Sequence, residues 1–387
     1  MKNRLGRRIR AWHRPQVLLA GCATLMLAAA GHAADMIIFV GAYTNSSVPK
    51  PVAGAQASKG IYSLHFDSST GHLTDPTLAA ESSNPSFLAT RGKYLYAANE
   101  NPDGSISAFA IDGARLSFIN RVSAHGSSTC HVTFDRTGKW LFVANYGNGT
   151  VAVFPIHDDG SLGEASGFVQ QRGSSINKER QMGPHAHVVV PSPDNQFLLV
   201  ADIGADKVFI HRFDASKGSL TEAGAATLPP GSGPRHLAFS PNGRFVYVAS
   251  ELAATVTAFR WTPSVPRLDS LGSLSMLPAD YTGEKSAAEI VVHPSGQFLY
   301  ASNRGHDSIA MFRIGGDGKL AALGQVPTEG RTPRNFAIDP SGNFLLAENQ
   351  DSGSIVVFRI DAKTGLLKPT GDRVVTPAPV CIVFVGG

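Results

Sequence analysis

The chain has 387 residues, 43% of them hydrophobic and 17% charged, with a formal net charge of +4. Six of its 34 basic residues and none of its 30 acidic ones fall in the first 33 positions, so the rest carries 28 basic against 30 acidic groups, near −2. That balance, with no run of Lys or Arg beyond the opening segment, excludes a nucleic-acid partner; three cysteines exclude a disulfide framework and offer no C-x-x-C metal spacing.

At the start, Lys2, Arg4, Arg7, Arg8, Arg10 and Arg14 precede an apolar run from Val17 to Ala30 and the small residues Gly31 and Ala33. This is the layout of an export signal, with cleavage expected after Ala33 and a periplasmic or secreted product. The run spans about 14 residues, short of the roughly 20 of a membrane-spanning helix, and no later stretch is longer or equally apolar, so the mature chain is expected off the membrane. Leu19-Ala20-Gly21-Cys22 is also shaped like a lipoprotein box and Arg7-Arg8 like a twin-arginine motif, but only about four apolar residues precede the box. Loss of the leader removes Cys22 and leaves Cys130 and Cys381.

Residues 34 to 387 read as a single domain built by repetition. The first segments, MIIFVGAY, GIYSLHF and HLTDPTLAA, read as three strands of a unit that lacks its first. Six fuller units follow in order: FLATRGKYLYAANENPDGSISAFAI, HVTFDRTGKWLFVANYGNGTVAVFPI, HVVVPSPDNQFLLVADIGADKVFIHRF, HLAFSPNGRFVYVASELAATVTAFRW, EIVVHPSGQFLYASNRGHDSIAMFRI and NFAIDPSGNFLLAENQDSGSIVVFRI. In each, a short apolar strand A, a tight turn and strand B lead to strand C, and a more polar fourth strand such as SLTEAGAATL completes the unit. A period of about 50 residues with four strands predicts the blades of a β-propeller. The last residues, APVCIVFV, fit the missing strand A. The fold class is therefore all-β, a seven-bladed propeller of four-stranded antiparallel blades whose ring is closed by the C-terminal strand, which removes an open sheet edge. The recurrent Gly, Pro, Asp and Asn of the turns read as hairpin chemistry.

Strand alternation puts the start of strand A, the end of strand B and the D-to-A loops on one rim. The insertions at 45 to 58, 171 to 184 and 278 to 287 all extend loops of that rim, which makes it the binding mouth. Aligning the turns gives two columns there. One, Asn99, Asn145, Asp202, Ser250, Asn303 and Asn349, is nearly constant and reads as turn capping. The next, Glu100, Tyr146, Ile203, Glu251, Arg304 and Gln350, varies as no shared structural need would make it vary. The starts of strand A add Cys130-His131, His187, Arg235-His236, Ala288-Glu289 and Arg334-Asn335, with His185 just before His187. Imidazoles, guanidinium groups and carboxylates around one mouth suit proton transfer and the holding of an anion. Arg172, Lys178 and Arg180 of the 171 to 184 loop read first as solvated charges.

The chain resembles the bacterial propeller lactonases, typified by 6-phosphogluconolactonase, and the related fungal carboxymuconate cyclases. The likeness runs from Ile37 to Val385 and rests on GAYT, SKGIYSLHFD, TGHLT, NPSFLA, YLYAANE, CHVTFD, ANYGNGTVAVF, GPHAHVVVPSPD, GPRHLAFSPNG, AEIVVHPSGQFLYASNRGHDSIAMF and PRNFAIDPSGNFLL. The resemblance implies an active-site set of His185, Arg235, Glu251 and Arg304, with His187 a second candidate for the imidazole, and no metal or cofactor. His131, His187, His236, Glu289, Arg334, Gln350 and Arg180 are expected to complete the substrate site.

These readings converge on hydrolysis of a small anionic or sugar-acid lactone by a monomer. Arg235 and Arg304 would hold the anionic group and oxyanion, and His185 or Glu251 would take a proton from the attacking water. Lactonizing cycloisomerisation of a muconate-like diacid, or a non-catalytic binding propeller, are the alternatives. Substitution at Arg235 or Glu251 is expected to lower turnover with little loss of stability, and substitution at Ser250 or Asn303 to cost about 1 kcal/mol of stability instead.

Overall fold

A computed structural model describes Met1, residues 35–44 and residues 57–385. The expected leader and most of the extended loop at 45 to 58 lie outside the described residues. Residues Ala34–Gly387 form one compact unit, and the described part is all strand and turn. Seven antiparallel sheets of four strands make a ring of blades. In blade one, the C-terminal strand Pro379–Phe384 takes place A beside Asp35–Ala42, with Ile38 opposite Phe384 and Val40 opposite Ile382. The chain ends thus close the ring, as expected from the sequence.

The blades hold together through the apolar faces of alternating strands, because side chains of period two project from both sides of each sheet into its neighbours. Seven separate clusters fill the seven junctions. Val188, Leu199 and Ile210 of blade four meet Leu237, Val248 and Trp261 of blade five. At the closing junction, Ile38, Leu64 and Phe66 of blade one meet Phe344, Leu346 and Val357 of blade seven. With these side chains fully or almost fully buried, the ring is a rigid mount for whatever its mouth carries.

The turn column ties each strand B to the segment entering its blade. Asn145 Nδ2 donates to the Ala124 carbonyl (2.9 Å), Asn303 Nδ2 to Met276 (3.0 Å) and Asn349 Nδ2 to Thr328 (3.1 Å). Asp202 Oδ1 instead accepts from the backbone N–H groups of His185 and Ala205, both at 2.9 Å. Ser250 is the exception, because its buried hydroxyl has no partner among the described residues.

Candidate active site

Every strand A contains a bulge near its start. Pairing jumps from Pro85 to Phe87, from Thr129 to His131, from Ala186 to Val188, from Pro234 to His236, from Ala287 to Ile290, from Pro333 to Asn335 and from Pro379 to Cys381. A residue left out of the ladder is re-aimed away from the sheet face. Blade six skips two residues, Ala288 and Glu289, and each other blade skips one; Ser86, Cys130, His187, Arg235, Glu289, Arg334 and Val380 from this set all line a single cavity at the centre of the ring. Phe87, His236 and Asn335, each next to a skipped residue, line it too.

Around this cavity the strand-B ends add the second column. Glu251 is the hub: its Oε1 lies 2.6 Å from Arg180 Nη2, and its Oε2 lies 3.0 Å from Arg235 Nε and 2.8 Å from Arg304 Nη2. Burial disfavours its charged form, but Arg304, Arg235 and Arg180 outweigh that and hold its pKa at about 2. Such a carboxylate is a weak proton acceptor, so of the two bases expected from sequence, Glu251 is better suited to fixing the arginines. Arg235 is buried, and burial followed by its neighbours Arg304 and Arg334 lowers its pKa to about 9. Its contact with Glu251 is out of hydrogen-bond alignment, and among the described residues Arg235 Nε and Nη1 and Arg304 Nε have no hydrogen-bond acceptor. Buried N–H groups lacking acceptors are costly unless something else accepts from them, and an anion in the mouth would.

His185 is fixed beside this group. Its ring stacks on Tyr146 with centroids 4.6 Å apart, and its Nδ1 lies 2.8 Å from the Tyr146 carbonyl oxygen. A carbonyl only accepts, so Nδ1 carries a proton, and the ring nitrogen left to act as a base is Nε2. The Tyr146 hydroxyl accepts from Arg180 Nη2 (3.2 Å), which links the imidazole to the arginine hub. Local sequence makes this possible: a Cβ on Gly204 would overlap the Gly183 carbonyl and press on the His185 ring. Arg180 is therefore more than the solvated charge of its first reading. The 171 to 184 loop holds it in place through the fully buried Gln181, whose Nε2 donates to Ile203 O and Asp206 Oδ1, both at 2.8 Å.

Three further imidazoles are as buried as Arg235. His131, His187 and His236 are buried, with ring centroids of His236 5.7 Å from His131 and 5.1 Å from His187. Burial, ahead of neighbouring cations, pushes all three below the ordinary imidazole value. His236 Nδ1 is 2.8 Å from Glu289 Oε1, while Glu289 Oε2 accepts from Asn335 Nδ2 at 2.6 Å. Gln350 donates to Asp351 at 2.9 Å, and among the described residues nothing joins it to the arginines.

On the opposite arc, the Tyr43 hydroxyl donates to Glu100 Oε2 (2.6 Å), and Arg334 Nη2 lies 3.5 Å from the same oxygen with its guanidinium 5.1 Å from the Tyr43 ring centroid. Tyr43 and Tyr146 were not among the expected site residues, nor was Glu348. The last lies in strand B of blade seven, fully buried, and among the described residues neither carboxyl oxygen has a partner in good hydrogen-bond geometry, the Cys381 backbone being a nearby polar influence. A signal existed for it: the aligned positions in the other blades are Gly41, Ala98, Ala144, Ala201, Ala249 and Ser302.

A propeller whose mouth concentrates arginines on one carboxylate beside a tautomer-fixed imidazole has the parts of a lactone-opening enzyme. The model of the family described as "Lactonase, 7-bladed beta-propeller" matches residues 37–384, and the chain belongs to that family. It is 36% identical over 353 residues to a 6-phosphogluconolactonase of Bacillus subtilis, covering 90% of this chain and 97% of that one. A 6-phosphogluconolactonase of Formosa agariphila is 37% identical, over 77% and 85% of the two chains. Among solved structures, the periplasmic gluconolactonase PpgL of Pseudomonas aeruginosa has a TM-score of 0.84 at 33% identity, with 91% of this chain and 99% of that one covered.

Proposed function

We propose that the chain is an exported, monomeric hydrolase of aldonolactones, the cyclic esters of sugar acids. The observation that carries this is the set of buried, acceptor-less N–H groups of Arg235 and Arg304 held in place by Glu251. Fixed cations aimed at developing negative charge are the largest single asset of an acyl-transfer site.

In this reading the lactone carbonyl faces Arg235 and Arg304. His185 Nε2 takes a proton from water as its oxygen attacks the carbonyl carbon, and the arginines hold the resulting oxyanion. Collapse breaks the ring C–O bond, and the imidazolium returns the proton to the ring oxygen. The product is an open hydroxy acid, whose carboxyl group loses its proton to solvent at neutral pH and faces the same arginines as the carboxylate. Export is supported by the leader-like N-terminus and by the periplasmic relative.

The test is a panel of glucono-1,5-lactone, its 6-phosphate, other aldonolactones and carboxymuconate, incubated with purified mature protein. Aldonolactone opening well above the buffer rate supports the reading. Loss of diene absorbance from the muconate alone would instead assign cycloisomerisation, and binding without turnover a non-catalytic role.

A further inference from the structure

Glu100 and Glu251 occupy the same turn position of blades two and five, yet their surroundings differ. Glu251 is outnumbered by Arg180, Arg235 and Arg304, so that arc has an excess of positive charge. Glu100 faces one arginine, Arg334, and a tyrosine hydroxyl, so its arc is balanced. Only its Oε2 is engaged by these two, and its side chain is 19% exposed. The two arcs are near enough for Arg334 to act on Arg235 and for Glu251 to act on Arg334.

A substrate whose carbonyl is held at the positive arc must place its far end on the balanced one. A carboxylate with an open oxygen, a guanidinium and an aromatic face accept and donate to hydroxyl groups. A phosphate monoester there would gain Arg334 but meet Glu100 as a like charge, and repulsion of this sort is how sites reject the wrong ligand. Resting on the lactonase reading, we propose that Glu100, with Arg334 and Tyr43, is a specificity-determining subsite that grips the distal hydroxyls of an aldonolactone and rejects a distal phosphate.

The experiment compares kcat/KM for glucono-1,5-lactone and its 6-phosphate in the wild type and in Glu100→Gln, which keeps the shape and an acceptor for Tyr43 while removing the charge. The wild type is expected to favour the unphosphorylated lactone at least about 10-fold, and Glu100→Gln to erode that ratio by about 10-fold through KM of the phosphate. A wild type that prefers the phosphate, or a folded variant with an unchanged ratio, overturns the subsite. If the wild type opens neither lactone, hydrolysis is wrong. Calorimetric binding of gluconate and 6-phosphogluconate to both proteins then decides the subsite by the same ratio.

Discussion

Arg235 Nε lies 3.0 Å from Glu251 Oε2, and the two side chains are only 3% and 5% exposed. A buried ion pair costs desolvation on both sides, and removing one partner strands the other. Glu251→Ala would strand the buried Arg235 and leave Arg304 with only the Ala287 carbonyl, while the half-exposed Arg180 keeps Tyr146 and solvent. The substitution is expected to lower turnover at least about 100-fold and also to cost about 3–5 kcal/mol in denaturant unfolding. The second outcome differs from the sequence expectation that substitution here spares stability, because Glu251 is buried. Turnover like that of the parent would remove Glu251 from the site.

In the turn column, Asn303→Ala loses its bond to the Met276 carbonyl and should cost about 1 kcal/mol, with ring-opening rates retained. Ser250→Ala should leave the melting temperature unchanged or raise it, contrary to the sequence expectation, because the buried Ser250 hydroxyl has nothing to lose. Thermal unfolding of the two variants side by side checks both. Equal destabilisation would mean that Ser250 has a partner after all.

Deleting residues 378 to 387 removes the strand that pairs with Asp35–Ala42 and takes Val380 and Ile382 from the closing blade. Each fully buried side chain of this size is worth roughly 1.5 to 3 kcal/mol, and the freed edge of blade one is open to pairing between chains. Light scattering of the truncated protein should show aggregation. A monodisperse product with the parent's melting temperature would show that ring closure does not depend on this strand.

Glu348 makes stability depend on pH. Burial, and then Glu289, hold its pKa well above the ordinary 4.5, so it stays protonated in the folded chain while the unfolded chain releases the proton. A raised carboxyl pKa therefore destabilises the fold progressively as pH climbs above about 4.5, until the folded-state value is reached. Glu348→Gln abolishes that loss, so its melting temperature should exceed the parent's by a margin that grows from pH 4.5 towards pH 8. A margin independent of pH would show that Glu348 is ionised or solvated in the fold.

The ring was legible in the sequence because each blade repeats strand patterning and turn chemistry, both local. So was closure, since only APVCIVFV could complete the first blade. The mouth columns were legible for the same reason, as repeat alignment marks equivalent positions. Depth was not: His131, His187, Arg235 and His236 are all buried, and that depends on how the strand-A bulges turn their side chains to the cavity. A partial clue was present, because a proline stands directly before the skipped residue in Pro85, Pro234, Pro333 and Pro379, and proline within sheets favours strand starts and bulges. The partner of Gln350 was not legible, because its amide turns to its neighbour Asp351, a choice between nearby partners that no alignment of repeats reveals. Arg180 was expected in the substrate site, but its bond to Glu251 was not legible because an inserted loop has no repeat to be compared with.

Proton release in a pH-stat tests the central claim most directly. Opening a lactone at neutral pH frees one proton per ring. Mature protein given glucono-1,5-lactone should release protons at a saturable rate well above buffer, and Arg235→Ala, if still folded by circular dichroism, should lose at least about 100-fold of it. Proton release at the buffer rate with saturating enzyme, or full activity in Arg235→Ala, would contradict the account.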